Sequence, residues 1–449
     1  MSIRRPGTRP AQGATTARHL LVTLLGNVFA PLAALATAPV MAHALGASGR
    51  GEVAAATAPL LLATSLAAFG IPSAITHFLA KHPVLRQRLA GRAALALVGA
   101  GLAVLVVVAS LSGSLSGGDA SVQRLVLIAS LALVPSLLGM LLQAIAAGEQ
   151  RWNLVAAERF VTAAARLAAF VLLGTAGRLD VTWSVVILAA SPVLGALVYL
   201  PMLVRGGISA AVVDADRIPS LGARDLLGYG VRIWIGSVAG VLLLRLDQAL
   251  IGPLAGVEVL GLYAVAATVA DLPLVINSAV RDVLFSAQSA KADDGSLARA
   301  ARLSTLFVTA VCVGLAAILP WALPVLFGAD FTAAVPVCWV LLAGLILSNP
   351  GSIAGVGLSA VGRPGLRSLA LSAACLVNVA LVILLTPSFG ALGAALATAV
   401  GGIVAGWLNV ALLSRVSGAR ARDFFGIHSA DMSVLVRLGA RLPSRLRLA

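Results

Sequence analysis

Apolar runs of more than about 18 residues recur along the whole chain, and each is long enough for a helix to cross the hydrocarbon core of a bilayer. Of the 449 residues, 60% are hydrophobic and 11% are charged, whereas a soluble domain carries roughly 25% charged residues. The sequence therefore predicts an all-α polytopic membrane protein. We place about twelve transmembrane helices near residues 19–45, 52–80, 91–112, 122–147, 153–177, 181–204, 228–253, 258–287, 302–328, 333–361, 366–386 and 390–413.

Basic residues are concentrated in every second loop, and the intervening loops hold only Arg50, Arg124 and Arg178. Short loops rich in Lys and Arg stay in the cytoplasm. We therefore expect a multi-pass protein of the inner (plasma) membrane with both termini cytoplasmic. The net charge of +15 is spread over these loops and forms no single patch, so we expect no nucleic-acid partner.

The longest cytoplasmic connection divides the spans into two sets, and similar Ala- and Gly-rich stretches occur at matching places in both. We therefore predict two pseudo-symmetric bundles of about six helices around a central cavity. The predicted parts are a basic cytoplasmic N-terminus (1–18), an N-terminal bundle (19–204), a cytoplasmic linker (205–227), a C-terminal bundle (228–413) and a basic cytoplasmic tail (414–449). The tail fits either a helix lying on the anionic leaflet or a disordered segment.

Sequence motifs of enzymes are absent. The chain has neither a Gly-rich phosphate loop ending in Lys-Ser/Thr nor a His-Glu-x-x-His zinc motif. Its three cysteines lie in apolar spans, without the spacing of a disulfide or metal set. We expect no catalytic residue, no bound metal and no cofactor, and therefore a protein that is not an enzyme.

The most informative residues are charges within the predicted spans: Arg166, Arg245, Asp247 and Asp271. A charge at the bilayer centre costs about 2.5–3.5 kcal/mol on insertion scales, so such residues face a partner or a water-filled cavity. Arg159 lies seven residues before Arg166, which returns to the same helical face about 10 Å along the axis. We interpret Arg159 and Arg166 as a basic track, with a structural ion pair or a side chain extended to the interface as the alternative.

Arg245 and Asp247 are two residues apart, so they point to different sides of a regular helix. Gly236 and Gly240 share the face of Asp247 and leave space beside it. Our hypothesis is that Arg245 faces a substrate path, while Asp247 pairs across the cavity or takes up a coupling proton or cation. Asp271, next to Pro273, is a second candidate for ion coupling.

Three stretches resemble polysaccharide flippases of the O-antigen (Wzx) type, within the multidrug/oligosaccharidyl-lipid/polysaccharide exporter superfamily. They are ALGASGRGEVAAATAPLLLATSLAAFGIPSAI (44–75), RLDQALIGPLAGVEVLGLYAVAATVADL (245–272) and FGALGAALAT (389–398). The resemblance extends over roughly residues 19–413. The lipid II flippases of the same superfamily usually have two further helices, which the residues after Leu413 are not apolar enough to supply.

The resemblance implies alternation between inward- and outward-open states and a polyprenyl-pyrophosphate-linked oligosaccharide as cargo, moved to the outer leaflet for cell-surface polysaccharide biosynthesis. Arg159, Arg166 and Arg245 would then be cavity ligands for the pyrophosphate, since Arg offers bidentate hydrogen bonds to phosphate oxygens. Asp247 and Asp271 would couple transport to a proton or sodium gradient, and a polysaccharide polymerase would be a partner. The alternative is a cation-coupled exporter of small amphiphilic molecules.

Overall fold

The computed structural model describes residues 11–82, 85–204, 223–290 and 294–426, and every regular element among them is a helix. The helices are α1 (Ala11–Ala67), α2 (Ile71–Lys81), α3 (Arg86–Leu115), α4 (Ala120–Ser130), α5 (Leu133–Gly148), α6 (Trp152–Thr175), α7 (Val181–Ala196), α8 (Leu200–Val204), α9 (Ala223–Ala255), α10 (Val257–Ala290), α11 (Asp294–Phe327), α12 (Val335–Ala360) and α13 (Pro364–Ser417). Short 3₁₀ turns cover Leu197–Tyr199, Ala329–Ala334 and Ala421–Phe424. The predicted all-α fold class is confirmed.

Helices α1 and α13 are each broken at one glycine. Gly46 has φ 65° and ψ −172°, and Gly390 has φ 55° and ψ −135°. Only glycine adopts such angles without a steric penalty, so each long helix consists of two arms. The arms of α1 correspond to the first predicted span and most of the second, and those of α13 to the last two.

Nine helices in the described part of the chain are long and apolar enough to cross a membrane, by length and composition. Helix α6 does not qualify because Glu158, Arg159 and Arg166 all lie in it. The count of twelve crossings stays a prediction. The first ten residues, most of the predicted linker (205–222) and the end of the basic tail (427–449) lie outside the described residues.

The described residues form two compact units. Unit 1 comprises Met1–Met41, Ala63–Ser110 and Leu127–Ile233, and unit 2 comprises Ala42–Leu62, Leu111–Val126 and Trp234–Ala449. In unit 1, α5 packs against α2 at Gly148, where a Cβ would meet the Leu79 side chain at 2.9 Å. The Thr76 hydroxyl donates to the Ala144 carbonyl of α5 at 3.1 Å. Small residues thus allow close helix packing here, as in many membrane bundles.

Unit 2 contains two contacts at which helix backbones meet directly. A Cβ on Gly351 of α12 would overlap the backbone of Gly406 in α13, and a Cβ on Gly51 of α1 would overlap the Val257 carbonyl of α10. Gly261 makes the matching approach to Ala47. Ala47, Gly51 and Gly261 come from the Ala- and Gly-rich stretches that carry the family resemblance, so part of that resemblance reflects helix packing.

The chain after α13 turns back onto unit 2. Phe424 is fully buried among residues of α11, α12 and α13, including Leu297, Ile353 and Leu413. The Arg302 guanidinium donates to the Asp423 carbonyl. These contacts attach residues 421–424 to the helices that carry the polar residues described next.

Candidate functional site

An ion pair joins α9 to α10 inside unit 2. Arg245 Nη2 donates to Asp271 Oδ2 at 2.8 Å, and the two side chains are 36% and 39% exposed. Both charged side chains belong to apolar helices, and they remain partly accessible because they line a cavity. The structure therefore brings together two residues that sequence reasoning selected separately.

The cavity has a volume of about 140 Å³, and all the residues that line it belong to unit 2. Its charged residues are Arg245, Asp247 and Asp271. Its other polar residues are Tyr263, Ser348 and Thr398, and the remaining wall is formed by Ala, Gly and Leu side chains of α9, α10, α12 and α13. An apolar wall with a few converging polar groups is the usual form of a ligand site.

Asp247 is buried, with 1% of its surface exposed. Its carboxylate accepts a hydrogen bond from the Tyr263 hydroxyl, one from Thr398 Oγ1 at 2.9 Å and one from the backbone N–H of Gln248 at 2.7 Å. All three donors are neutral groups. The carboxylate is therefore held by three neutral hydrogen-bond donors, as a buried charge requires, and not by a direct ion pair.

Asn378 of α13 extends this group of polar residues. Its Nδ2 donates to Thr398 Oγ1 at 3.4 Å, and its Oδ1 is buried without a hydrogen-bond partner in the described part of the chain. The Thr398 hydroxyl thus links Asn378 to the Asp247 carboxylate. Among the described residues no group of three or more His, Cys, Asp or Glu side chains is arranged to hold a metal ion.

Arg245 and Asp247 bind different partners, in agreement with their spacing of two residues. Arg245 reaches Asp271, whereas Asp247 reaches Tyr263 and Thr398. The space expected beside Asp247 is only partly available. A Cβ at Gly240 would meet nothing within 4 Å, but a Cβ at Gly236 would overlap the Ser368 hydroxyl.

The predicted basic track lies on α6 of unit 1. Arg166 Nε donates to Ser191 Oγ of α7 at 3.1 Å, and Arg159 is partly buried. The structure adds Glu158, which accepts from Thr162 Oγ1 and from Gln143 Nε2, both at 3.1 Å. The track therefore contains a carboxylate as well as two arginines.

Sequence reasoning missed Glu158, Tyr263 and Thr398. Glu158 had a detectable signal, because it is a carboxylate four residues before Thr162 in a predicted span. Tyr263 and Thr398 had none, since an isolated hydroxyl in a membrane helix carries no pattern, and these two lie 135 residues apart in the chain.

A family model for "Polysaccharide biosynthesis protein" matches residues 16–285. The chain belongs to this family. The matched segment covers more than half of the sequence and contains Arg159, Arg166, Arg245, Asp247 and Asp271. The family suggested by the sequence motifs is thereby confirmed.

A curated relative is the probable low-salt glycan biosynthesis flippase Agl15 of Haloferax volcanii, with 28% identity over 200 residues. The match covers 43% of this chain and 42% of the relative, so the chain spans less than half of that protein's length.

Two solved structures share the fold. The lipid II flippase MurJ, in an inward closed conformation, matches with a TM-score of 0.69 and 14% identity, over 91% of this chain and 89% of MurJ. An inward-facing multidrug resistance MATE family transporter of the MOP superfamily matches with a TM-score of 0.68 and 14% identity, over 88% and 98%. The helical architecture is therefore the one that these transporters have.

Proposed function

We propose that this protein is a flippase that moves a polyprenyl-pyrophosphate-linked oligosaccharide from the cytoplasmic to the outer leaflet for cell-surface polysaccharide biosynthesis. The observation that carries the proposal is the family match, because it includes the charged residues of the cavity. The glycan flippase named among the relatives and the fold shared with MurJ support it. The protein acts as a transporter rather than an enzyme, in the inner membrane and with both termini in the cytoplasm.

Arg245 is the proposed ligand of the pyrophosphate in unit 2. Its guanidinium binds one carboxylate oxygen of Asp271 and is 36% exposed, so it can be reached by a second anion. Phosphate oxygens compete with the carboxylate for the same N–H groups, and Arg binds both in a bidentate manner. Arg159 and Arg166 are the proposed ligands in unit 1.

Asp247 is the proposed site at which the coupling proton or sodium ion is taken up, with Asp271 as a second candidate. Asp247 is buried and held by neutral donors, and the orphaned Asn378 oxygen supplies a further acceptor. A pyrophosphate that attracts Arg245 would change the charge balance around both carboxylates. Cargo binding and ion exchange would then be linked through this arginine.

The proposed mechanism is alternating access, with the two predicted bundles, residues 19–204 and 228–413, as the moving parts. A polysaccharide polymerase that receives the flipped cargo is the proposed protein partner. The basic loops and the basic tail are proposed to contact the anionic cytoplasmic leaflet.

A second function is favoured by one feature of the cavity. Arg245 is paired with Asp271, and the buried Asp247 adds another carboxylate, so two carboxylates face one arginine. The charged side chains of the cavity therefore carry a net negative charge, which favours a cationic amphiphile over an anionic diphosphate. The alternative function is therefore cation-coupled export of small amphiphilic molecules.

Deletion of the encoding gene separates the two functions. We expect the lipid-linked oligosaccharide to accumulate on the cytoplasmic leaflet, with unchanged susceptibility to a panel of cationic drugs and dyes. The measurement is the accessibility of the glycan to a lectin in right-side-out vesicles, with the complemented strain as control. Normal glycan orientation in a strain without paralogues would contradict the flippase, and drug hypersensitivity together with normal orientation would support the exporter.

A further inference from the structure

Glu158 lies on the face of α6 that packs against α7 in unit 1. Arg166 donates to Ser191 Oγ at 3.1 Å, and one turn away a Cβ on Gly195 would overlap the Thr162 hydroxyl. This step moves four residues back on α6 and four forward on α7, as expected of antiparallel neighbours. The same Cβ would lie 3.1 Å from the Glu158 carbonyl oxygen. The carboxylate therefore shares a helix face with Arg166, two turns away.

The Glu158 carboxylate has unused hydrogen-bonding capacity. In the described part of the chain, Oε1 accepts from Thr162 and Oε2 accepts from Gln143 Nε2, whereas a carboxylate offers about four acceptor positions. The Gln143 amide makes only that one side-chain hydrogen bond with the described residues, so its oxygen and its second N–H are available. Glu158, Gln143 and Thr162 are all partly exposed. A carboxylate, an amide and a hydroxyl with accessible donors and acceptors thus lie together.

The open side of this group requires a polar ligand or water, because an intramembrane carboxylate that faces hydrocarbon is costly. A second cation is disfavoured, since Arg159 and Arg166 follow on the same helix and repel positive charge. A phosphate beside the carboxylate is disfavoured for the opposite reason. A neutral ligand rich in hydroxyl groups meets neither objection, because each hydroxyl both donates and accepts.

We propose that Glu158 and Gln143 bind the hydroxyl groups of the sugar that is joined to the diphosphate of the cargo, with Thr162 positioning the carboxylate. The inference rests on the proposed function, in which Arg159 and Arg166 bind the diphosphate. Glu158 lies about 12 Å from Arg166 along α6, toward the cytoplasmic end in the proposed topology. Before transport the glycan extends toward the cytoplasm, so its first sugar lies on this side of the diphosphate.

The test compares two lipids that differ only in the glycan. The probes are the lipid-linked oligosaccharide extracted from the native cells and the polyprenyl diphosphate of the same chain length without sugar. Dissociation constants are measured for the purified full-length protein in detergent by native mass spectrometry. The readout is the glycan factor, defined as the dissociation constant of the sugar-free lipid divided by that of the oligosaccharide lipid. The variants are Glu158→Gln, Arg166→Gln and Tyr199→Phe.

Tyr199→Phe is the matched control. Tyr199 ends the 3₁₀ turn Leu197–Tyr199 after α7, and this turn packs against α6. The Tyr199 side chain is fully buried, so a ligand does not reach it, and its hydroxyl has no hydrogen-bond partner among the described residues. The substitution therefore removes a hydroxyl from the same helix contact without removing a hydrogen bond. We expect both dissociation constants to change less than about twofold.

We expect Glu158→Gln to lower the glycan factor about tenfold, which is the usual effect of losing a hydrogen bond to a charged group. Binding of the sugar-free lipid should stay within about twofold of the parent or become tighter, because a negative charge near the phosphates is removed. Arg166→Gln should weaken binding of both lipids by the same factor, since both carry the diphosphate. The glycan factor of that variant should therefore equal that of the parent.

An unchanged glycan factor in Glu158→Gln would overturn the proposal, as would a parent protein that binds the two lipids equally. Both results leave the proposed flippase function in place, whereas a parent that binds neither lipid contradicts that function as well. A coupling cation at Glu158 gives a different pattern. The glycan factor is then unchanged, and Glu158→Gln removes the sodium or pH dependence of the unfolding temperature, which would also overturn the sugar site.

Thermal unfolding without lipid and elution volume establish that each variant is folded. If Glu158→Gln does not fold, Glu158→Asp replaces it. Aspartate keeps the charge but withdraws the carboxylate by one methylene group, about 1.5 Å. We expect Glu158→Asp to lower the glycan factor and to leave binding of the sugar-free lipid within about twofold of the parent. A glycan factor equal to that of the parent in this variant would overturn the proposal.

Discussion

Asp247→Asn should abolish gradient-driven turnover while cargo binding stays within about threefold of the parent. Asparagine keeps the size of the side chain and can still accept from Tyr263 and Thr398, but it can neither take up a proton nor balance a cation. We expect gradient-driven turnover to fall about 100-fold, which corresponds to a coupling free energy near the upper end of the usual range. Turnover is measured in proteoliposomes with and without an imposed proton or sodium gradient.

Tyr263→Phe is the matched control for this substitution. It removes one neutral donor from the Asp247 carboxylate and leaves Thr398 and the Gln248 N–H in place. We expect it to retain the response to the gradient, with turnover lowered less than about tenfold. An Asp247→Asn protein that still responds to the gradient as the parent does would show that Asp247 is structural.

Arg245→Gln and Asp271→Asn should change cargo binding in opposite directions. Loss of Arg245 removes charge-assisted hydrogen bonds to the pyrophosphate, each of which contributes about 1.5–3 kcal/mol, so binding should weaken at least tenfold. Loss of the Asp271 charge frees Arg245 from its carboxylate partner, so binding should be at least as tight as in the parent. Both are measured as dissociation constants of the lipid-linked oligosaccharide at matched expression.

A purely structural ion pair gives a different pattern. Removing either partner would then leave one charge unpaired, and both variants would lose thermal stability and binding together. The double variant Arg245→Gln/Asp271→Asn would then recover both thermal stability and cargo binding. Under the proposed mechanism the double variant is stable but still binds the cargo weakly, because the arginine that binds the anion is missing.

The fold class could be predicted from the sequence because it depends on a local quantity, the length of each apolar run. The helix ends were predicted to within a few residues in several places: the span expected at 153–177 is α6, Trp152–Thr175. The break at Gly46 separates two predicted spans that the structure joins without an intervening loop. Apolar length alone cannot distinguish a loop from a break at a single glycine.

The charged members of the site were also visible in the sequence, because a charge in an apolar run is costly wherever it occurs. Their partners were not visible. The neighbours of Asp247 come from α10 and α13, and only the packing of these helices brings Tyr263 and Thr398 to one carboxylate. The pairing of Arg245 with Asp271 depends in the same way on how α9 packs against α10.

Reconstitution shows whether this protein moves a lipid-linked oligosaccharide across the bilayer. The purified protein is placed in liposomes that contain a fluorescent polyprenyl-pyrophosphate-linked oligosaccharide, and the fraction of label quenched by an impermeant reagent is followed with time. We expect inner-leaflet label to become accessible in vesicles with the parent protein and not in empty vesicles or with Arg245→Gln. Equal rates in parent, Arg245→Gln and protein-free vesicles would contradict the proposed flippase function.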